Sequence, residues 1–201
     1  MITRKNFSNF LSLEVGKIET EGKQLVATVG DKVKCFPSRE SCKMLSSCSH
    51  EEADTRIMVH VADAVKMGHS SVMIRTVDTD VLVLAVAIVE KLKIPELWIS
   101  FGTGKNHRVL AAHDIAKALG EEKAAALPVF HAITGCDTTS FFAGRGKKTA
   151  WAVWDSYPDV TEVFLKLAHC PSEVPKEHLT ILERFVVLLY DRSCSLDKVR
   201  F

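Results

Sequence analysis

The sequence feature that most constrains the fold is an alternation of short apolar runs with longer helix-like segments after residue 49. Residues 71–76 and 96–101 have the length and apolar content of buried strands, and residues 81–91 between them are long enough for a helix. Strands that alternate with helices are typical of an α/β domain with a parallel sheet. We therefore predict an α/β fold with a mainly parallel central sheet and a helical C-terminal half.

Glycine and proline set the expected ends of the helices. The segment before Gly68 contains neither residue, which predicts a helix over 51–67. A glycine-containing turn after the second strand predicts a short third strand near 108–110. The remaining helices are expected at 113–120, at 121–134 with a break near Pro128, and at 147–155, 160–168 and 175–192.

The N-terminal part of the chain has a different pattern. Residues 24–29 and 32–36 are β-like runs on either side of Gly30 and Asp31, so we expect them to form a hairpin. We interpret residues 1–48 as a hairpin and loop segment and residues 49–201 as the principal domain.

Charge and hydropathy restrict the partners and the compartment. The formal net charge is +1, so any nucleic-acid binding must come from a local basic patch. The longest apolar run, 81–89, is shorter than the about 20 residues that a membrane span needs, and the N-terminus lacks the apolar stretch of a signal peptide. We expect an intracellular protein of the nucleus or cytoplasm, neither secreted nor bound to a membrane.

The six cysteines show neither CxxC pairing nor the density of a secreted disulfide scaffold. We therefore expect reduced thiols. A zinc site built from Cys35, Cys42, Cys48 and His50 is disfavoured because the gaps between these residues do not match those of a zinc knuckle.

Acidic residues occur at three places along the chain. Glu52 and Asp54 lie at the start of the first predicted helix. Asp78 and Asp80 directly follow the first buried strand, and Asp137 lies between helices. Sites in α/β sheets form at the carboxyl ends of strands, and hard cations such as Mg²⁺ and Mn²⁺ bind carboxylate oxygens. Two such ions can activate water and stabilise the leaving oxygen of a phosphodiester.

Each of these places also has a structural interpretation. Ser49 and Glu52 fit a capping box, in which the glutamate only stabilises its helix. Asp78 and Asp80 suit the N-cap and first turn of the next helix. Asp137 suits an ordinary turn. These alternatives stay open for each residue taken alone.

A basic turn, residues 144–148, precedes the helix predicted at 147–155. Glycines allow a backbone to approach a phosphate closely, and the N–H groups at a helix start favour an anion. The alternative is a solvated basic helix start. Trp151 and Trp154 on the same helix are expected to be core residues rather than platforms for bases.

Taken in order, these motifs resemble those of the flap-endonuclease group of PIN-like nucleases. Residues 49–54 (SHEEAD) resemble the E-A-[DE] motif of that group, 77–80 (VDTD) its strand-end D-x-D, and 135–137 (GCD) its G-[SC]-D. Residues 144–150 (GRGKKTA) resemble the G-x-G-P-K-x-A turn that opens a helix and grips a DNA backbone. The resemblance covers about residues 49–155.

The resemblance implies a divalent-metal-dependent nuclease that hydrolyses phosphodiester bonds by a two-metal mechanism, with DNA expected ahead of RNA. It implies two Mg²⁺ or Mn²⁺ ions and no small-molecule cofactor. The implied metal ligands are Glu52, Asp54, Asp78, Asp80 and Asp137, of which Asp78, Asp80 and Asp137 are the catalytic candidates. The implied nucleic-acid contacts are Gly144, Arg145, Gly146, Lys147 and Lys148.

The chain is more closely similar to a group of animal proteins that carry the strings SHEEADTR, VDTDVLVL, FHAxTGCDT and ERFVVLxYDR. Members of that group tend to be longer at both ends and often look derived from mobile elements. Flap-type nucleases begin with acidic strands that residues 1–48 do not supply, and Lys147 stands where their turn has proline. We therefore expect a truncated chain that lacks the first strands of the fold, with an incomplete metal centre as one outcome.

Two alternatives from other classes remain. One is a catalytically inactive PIN-like remnant that acts as a nucleic-acid or protein interaction module. The other is a phosphatase similar to haloacid dehalogenases, with Asp78 as nucleophile. That family needs a second acid four residues after Asp137, where this chain has Phe141. The sequence leaves the oligomeric state open.

Overall fold

The computed structural model describes residues 14, 21–29, 32–39, 42, 45, 53–137, 139–170 and 174–194. The chain divides into two compact units, residues 1–63 and residues 64–201. The division falls inside helix α1 (Ala53–Lys66), so this helix contributes residues to both units.

The first unit contains the expected hairpin strands. Strand β1 (Leu25–Val29) pairs antiparallel with β2 (Lys32–Phe36). A hydrogen bond of 2.7 Å between Thr28 Oγ1 and His60 Nε2 joins this hairpin to α1 within the unit. An ion pair between Arg39 and Asp63 adds a second link.

The prediction of reduced cysteines is wrong for one pair, because Cys35 and Cys42 form a disulfide. Their Cα atoms are 6.7 Å apart, which lies within the range that a disulfide can bridge. Cys48 and His50, the other members of the disfavoured zinc site, lie outside the described residues.

The second unit contains a three-stranded sheet in the order β3 (Ser71–Thr76), β4 (Glu96–Phe101), β5 (Arg108–Ala111). Strands β3 and β4 are parallel, with helix α2 (Thr79–Leu92) as the connection between them. Strands β4 and β5 are antiparallel. The α/β class is confirmed, but the sheet of the described residues is mixed rather than mainly parallel.

The short connection between β4 and β5 explains this difference. Residues 102–107 join the two strands, whereas a parallel pair needs a crossover of about a dozen residues or more. Gly102 makes the tight turn possible at φ +82°, since an added Cβ would lie 2.7 Å from the carbonyl oxygen of Asn106.

The remaining helices follow β5 along the chain. They are α3 (Ala112–Leu119), α4 (Glu121–Ile133), α5 (Lys147–Ser156), α6 (Val160–His169) and α7 (Lys176–Tyr190). The predicted break near Pro128 is wrong, because α4 continues through this proline. Proline removes one helical hydrogen bond, but Ala126 and Phe130 on either side are buried in the core and hold the helix together.

An aromatic cluster anchors the helical half. Phe130 of α4 stacks on Trp154 of α5 with ring centroids 4.7 Å apart, and Phe164 meets Trp154 edge-on at 5.4 Å. Trp154 is 1% exposed, so its expected role as a core residue is confirmed. The cluster packs α5 against α4 and α6. In the part of the chain that is described, no helix is both long and apolar enough to cross a membrane.

Candidate functional site

The first predicted site element is the acidic turn, residues 77–80, which leads from β3 into α2. Asp78 is the N-cap of α2, with φ −96° and ψ 131°, and its Oδ1 accepts a hydrogen bond from the backbone N–H of Asp80 at 2.9 Å. Its own backbone N–H donates to Thr76 Oγ1 at 3.0 Å. The capping interpretation of Asp78 is therefore confirmed.

The cap does not exclude a ligand role for the same turn. Asp78 and Asp80 can each present a carboxylate oxygen within 4.8 Å of the other. Both side chains are partly exposed at the carboxyl end of a parallel strand pair. In each carboxylate, Oδ1 accepts a hydrogen bond, whereas Oδ2 has no hydrogen-bond partner among the described residues. Hard oxygen donors whose other lone pairs are held by protein groups fit a divalent cation.

His131, which has no predicted role in the sequence, forms a hydrogen bond with Asp80. Its Nε2 is 2.8 Å from Asp80 Oδ1, so it links the end of α4 to the first turn of α2. The residue is 9% exposed, and the Asp80 side chain is 31% exposed. In the sequence, His131 is marked only as a polar residue in the apolar last turn of a predicted helix, four residues before Gly135.

Lys147, a predicted nucleic-acid contact, binds the C-terminal end of α4. Its Nζ donates to the carbonyl oxygen of His131 at 2.9 Å, to Thr134 Oγ1 at 3.0 Å and to the carbonyl oxygen of Gly135 at 2.6 Å. A cation at the last carbonyls of a helix also interacts favourably with the helix dipole. The ammonium group has three N–H donors, and each has an acceptor here.

Burial lowers the pKa of Lys147 from its ordinary value, while electrostatic interactions with Cys136 and Asp80 act in the opposite direction. Lys147, although exposed as a residue, therefore contributes positive charge near Asp80. This arrangement compensates part of the carboxylate charge before any other cation binds.

The other members of the basic turn differ in their surroundings. The guanidinium of Arg145 donates to the carbonyl oxygen of Tyr190 at 3.2 Å and lies 5.3 Å from the centre of the Tyr190 ring. Gly144 has φ +69°, and Gly146 is the N-cap of α5 without a side-chain capping bond. Lys148 is exposed and has no hydrogen-bond or ion-pair partner within the described ranges.

The remaining predicted ligands are less constrained by the structure. Asp54 lies in the first turn of α1, in the first unit, and Glu52 lies outside the described residues. Asp137 is exposed. Among the residues that the structure describes, no group of three potential ligand residues contains Asp137. The metal roles of these three residues stay predictions.

A search of protein-family models found no match to the chain, and searches of curated proteins and of solved structures found none either.

Proposed function

We propose that this protein is a divalent-metal-dependent nuclease that hydrolyses phosphodiester bonds in DNA, with RNA as the second choice of substrate. The observation that carries the proposal is the pair Asp78 and Asp80 at the carboxyl end of β3. Each has one oxygen held by a protein donor and a second oxygen without a partner among the described residues. This donor arrangement suits carboxylate ligands of Mg²⁺ or Mn²⁺.

In this proposal, Asp78 and Asp80 hold the first ion. Glu52, Asp54 and Asp137 are the further ligands implied by the motif resemblance. Bound Mg²⁺ or Mn²⁺ supplies Lewis acidity, which activates water and stabilises negative charge on the leaving oxygen. The hydrogen bonds that Asp78 and Asp80 accept would hold their carboxylates in place for the ions.

The basic turn supports a nucleic-acid substrate. The start of α5 has no side-chain cap, and within the described residues the backbone N–H groups of Lys147 and Lys148 donate to no protein acceptor, which leaves them available to a phosphate. Lys148 is exposed beside them and adds positive charge. We assign the phosphate contact to Gly144, Gly146 and Lys148. Arg145 and Lys147 add positive charge near the phosphate and hold the turn in place through their contacts with α7 and α4.

The test is cleavage of linear and branched DNA by the wild-type chain and by Asp78→Asn in the presence of Mn²⁺. Asparagine also caps helices well, so this variant should fold normally while losing a charged ligand. We expect cleavage by the wild type and its loss in Asp78→Asn, with DNA binding near normal. Asp159→Asn, an exposed N-cap without a capping bond, is the matched control and should cleave like the wild type. Equal cleavage by Asp78→Asn would indicate a contaminating nuclease and contradict the proposal.

A second candidate is a non-catalytic interaction module. The engagement of Lys147 and Arg145 by carbonyl oxygens favours it, because a nuclease surface would present these cations to phosphate. The two candidates differ in metal dependence. A module binds its partner equally well in Mn²⁺ and in a chelator and leaves DNA intact, whereas the nuclease requires the ion.

A further inference from the structure

The proposed nuclease function gives His131 no role of its own beyond the hydrogen bond that it makes to Asp80. This bond spans 51 positions in the sequence and joins the first turn of α2 to the last turn of α4. His131 is nearly buried, and its neighbour Phe130 is part of the aromatic cluster. The imidazole ring is therefore surrounded mainly by protein atoms rather than by water.

The geometry of this bond selects one oxygen of Asp80. Nε2 of His131 donates to Oδ1, and a carboxylate is acceptor-only when ionised, so the proton of this bond lies on the histidine. The terminal torsion of an aspartate is broad and roughly two-fold, so the carboxylate of an isolated residue samples many orientations. A donor fixed to Oδ1 limits that rotation and leaves Oδ2 as the oxygen that has no partner within the described residues.

His131 is itself held at its backbone. Its carbonyl oxygen accepts a hydrogen bond from Lys147 Nζ, which also bonds Thr134 and Gly135. Thr134 donates in turn to the carbonyl oxygen of Phe130 at 2.7 Å. The end of α4 is therefore fixed on both sides of His131, and the first turn of α5 supplies the lysine that fixes it.

We propose that His131 is a positioning residue that orients the Asp80 carboxylate toward a divalent cation, with Lys147 holding the end of α4 that carries His131. The inference rests on the proposed metal site at Asp78 and Asp80. Partners that orient a metal-binding carboxylate typically change metal affinity by about 10–100-fold when they are removed. His131 does not need to touch the ion or the substrate to have this effect.

The test measures Mn²⁺ affinity by electron paramagnetic resonance in the wild type, His131→Phe and His131→Gln. Phenylalanine fills the ring volume but has no donor, whereas the glutamine amide can place an N–H near the position of Nε2. We expect His131→Phe to bind Mn²⁺ about 10–100-fold more weakly and His131→Gln to recover most of the affinity. Thermal melting in EDTA checks that both variants are folded without metal.

The outcomes separate the two claims. A wild-type chain that binds no Mn²⁺ overturns the metal site and this inference with it. A wild type that binds Mn²⁺ while His131→Phe binds equally well overturns the role of His131 alone. Equal weakening in His131→Phe and His131→Gln would also overturn it, because volume or packing rather than the donor would then decide the affinity.

Discussion

The acidic turn and the basic turn both carry charges that suit a nuclease, but the structure uses those charges differently. In the acidic turn, Asp78 and Asp80 each use one oxygen in a protein hydrogen bond and keep a second one without a described partner. In the basic turn, the ammonium of Lys147 is surrounded by three acceptors of its own chain, and Arg145 is bound to Tyr190.

This comparison shows that a charged motif alone does not define a binding surface. A carboxylate has about four acceptor sites, so one capping bond leaves most of it available. An ammonium has three donors, and three internal acceptors occupy all of them. The acidic turn can therefore cap a helix and bind an ion at once, whereas Lys147 cannot grip a phosphate without first releasing the end of α4.

The largest loss of stability is expected for a substitution at Gly135, whose carbonyl oxygen binds Lys147. Gly135 has φ +98°, and an added Cβ would lie 2.6 Å from the Cβ of Phe141. Gly135→Ala should destabilise the fold by roughly 2–4 kcal/mol through backbone strain and overpacking. Gly144→Ala is the matched control, since nothing lies within 4 Å of an added Cβ there, and only a backbone cost of roughly 1 kcal/mol is expected. Urea denaturation measures both, and equal losses would mean that Phe141 does not restrict the space beside Gly135.

Lys147→Met should have the next largest effect. It leaves two carbonyl oxygens and a hydroxyl at the end of α4 without their donor, for a loss of roughly 1–3 kcal/mol. Lys148→Met at the next position should stay within about 0.5 kcal/mol of the wild type, since it removes an exposed side chain. If the two variants were equally stable, the three hydrogen bonds of Lys147 would add nothing to the stability of the fold, and the comparison between the two turns would fail.

Arg145→Met should cost less than Lys147→Met. It removes one hydrogen bond to the exposed residue Tyr190 and a cation–π contact at 5.3 Å with its ring. We expect a loss of roughly 0.5–1 kcal/mol, because exposed contacts of this kind contribute little. The same denaturation experiment measures it, and a loss larger than that of Lys147→Met would reverse the order that the structure indicates.

Lys148→Ala is expected to have the smallest effect on stability but a clear effect on the salt dependence of DNA binding. If Lys148 contacts one phosphate, its removal should lower the slope of log binding constant against log salt by about 1 on DNA of any sequence. The stability should not change. Fluorescence anisotropy at several salt concentrations measures the slope. An unchanged slope would remove Lys148 from the proposed interface and favour a protein partner over a nucleic acid.

Local features of the fold were predictable from the sequence, and long-range ones were not. The strands β3 and β4 and the cap at Asp78 depend on neighbouring residues, so patterns and capping rules identify them. The antiparallel pairing of β5 depends on the length of its connection to β4, which residue propensities do not contain. The continuity of α4 through Pro128 depends on tertiary packing, which overrides local preference.

The same distinction applies to the candidate site. The residue types alone predict a cation site at Asp78 and Asp80 and a phosphate contact at the basic turn. The bond from His131 to Asp80 was not, because the two residues are 51 positions apart and only the packing of α4 against α2 brings them together. The acceptors of Lys147 were hidden for the same reason, since a lysine beside glycines in a sequence carries no sign of where its ammonium lies.

The central claim is that Asp78 and Asp80 bind a divalent cation, and a melting experiment with increasing Mn²⁺ tests it most directly. A ligand that binds only the folded state stabilises it by mass action, by about 2.7 kcal/mol at 100 times its Kd. We predict a Tm that rises with Mn²⁺ in the wild type and in Asp159→Asn, and a Tm that stays constant when Asp78→Asn and Asp80→Asn are combined. A wild-type Tm that does not respond to Mn²⁺, or a double variant that responds as strongly as the wild type, would contradict the account.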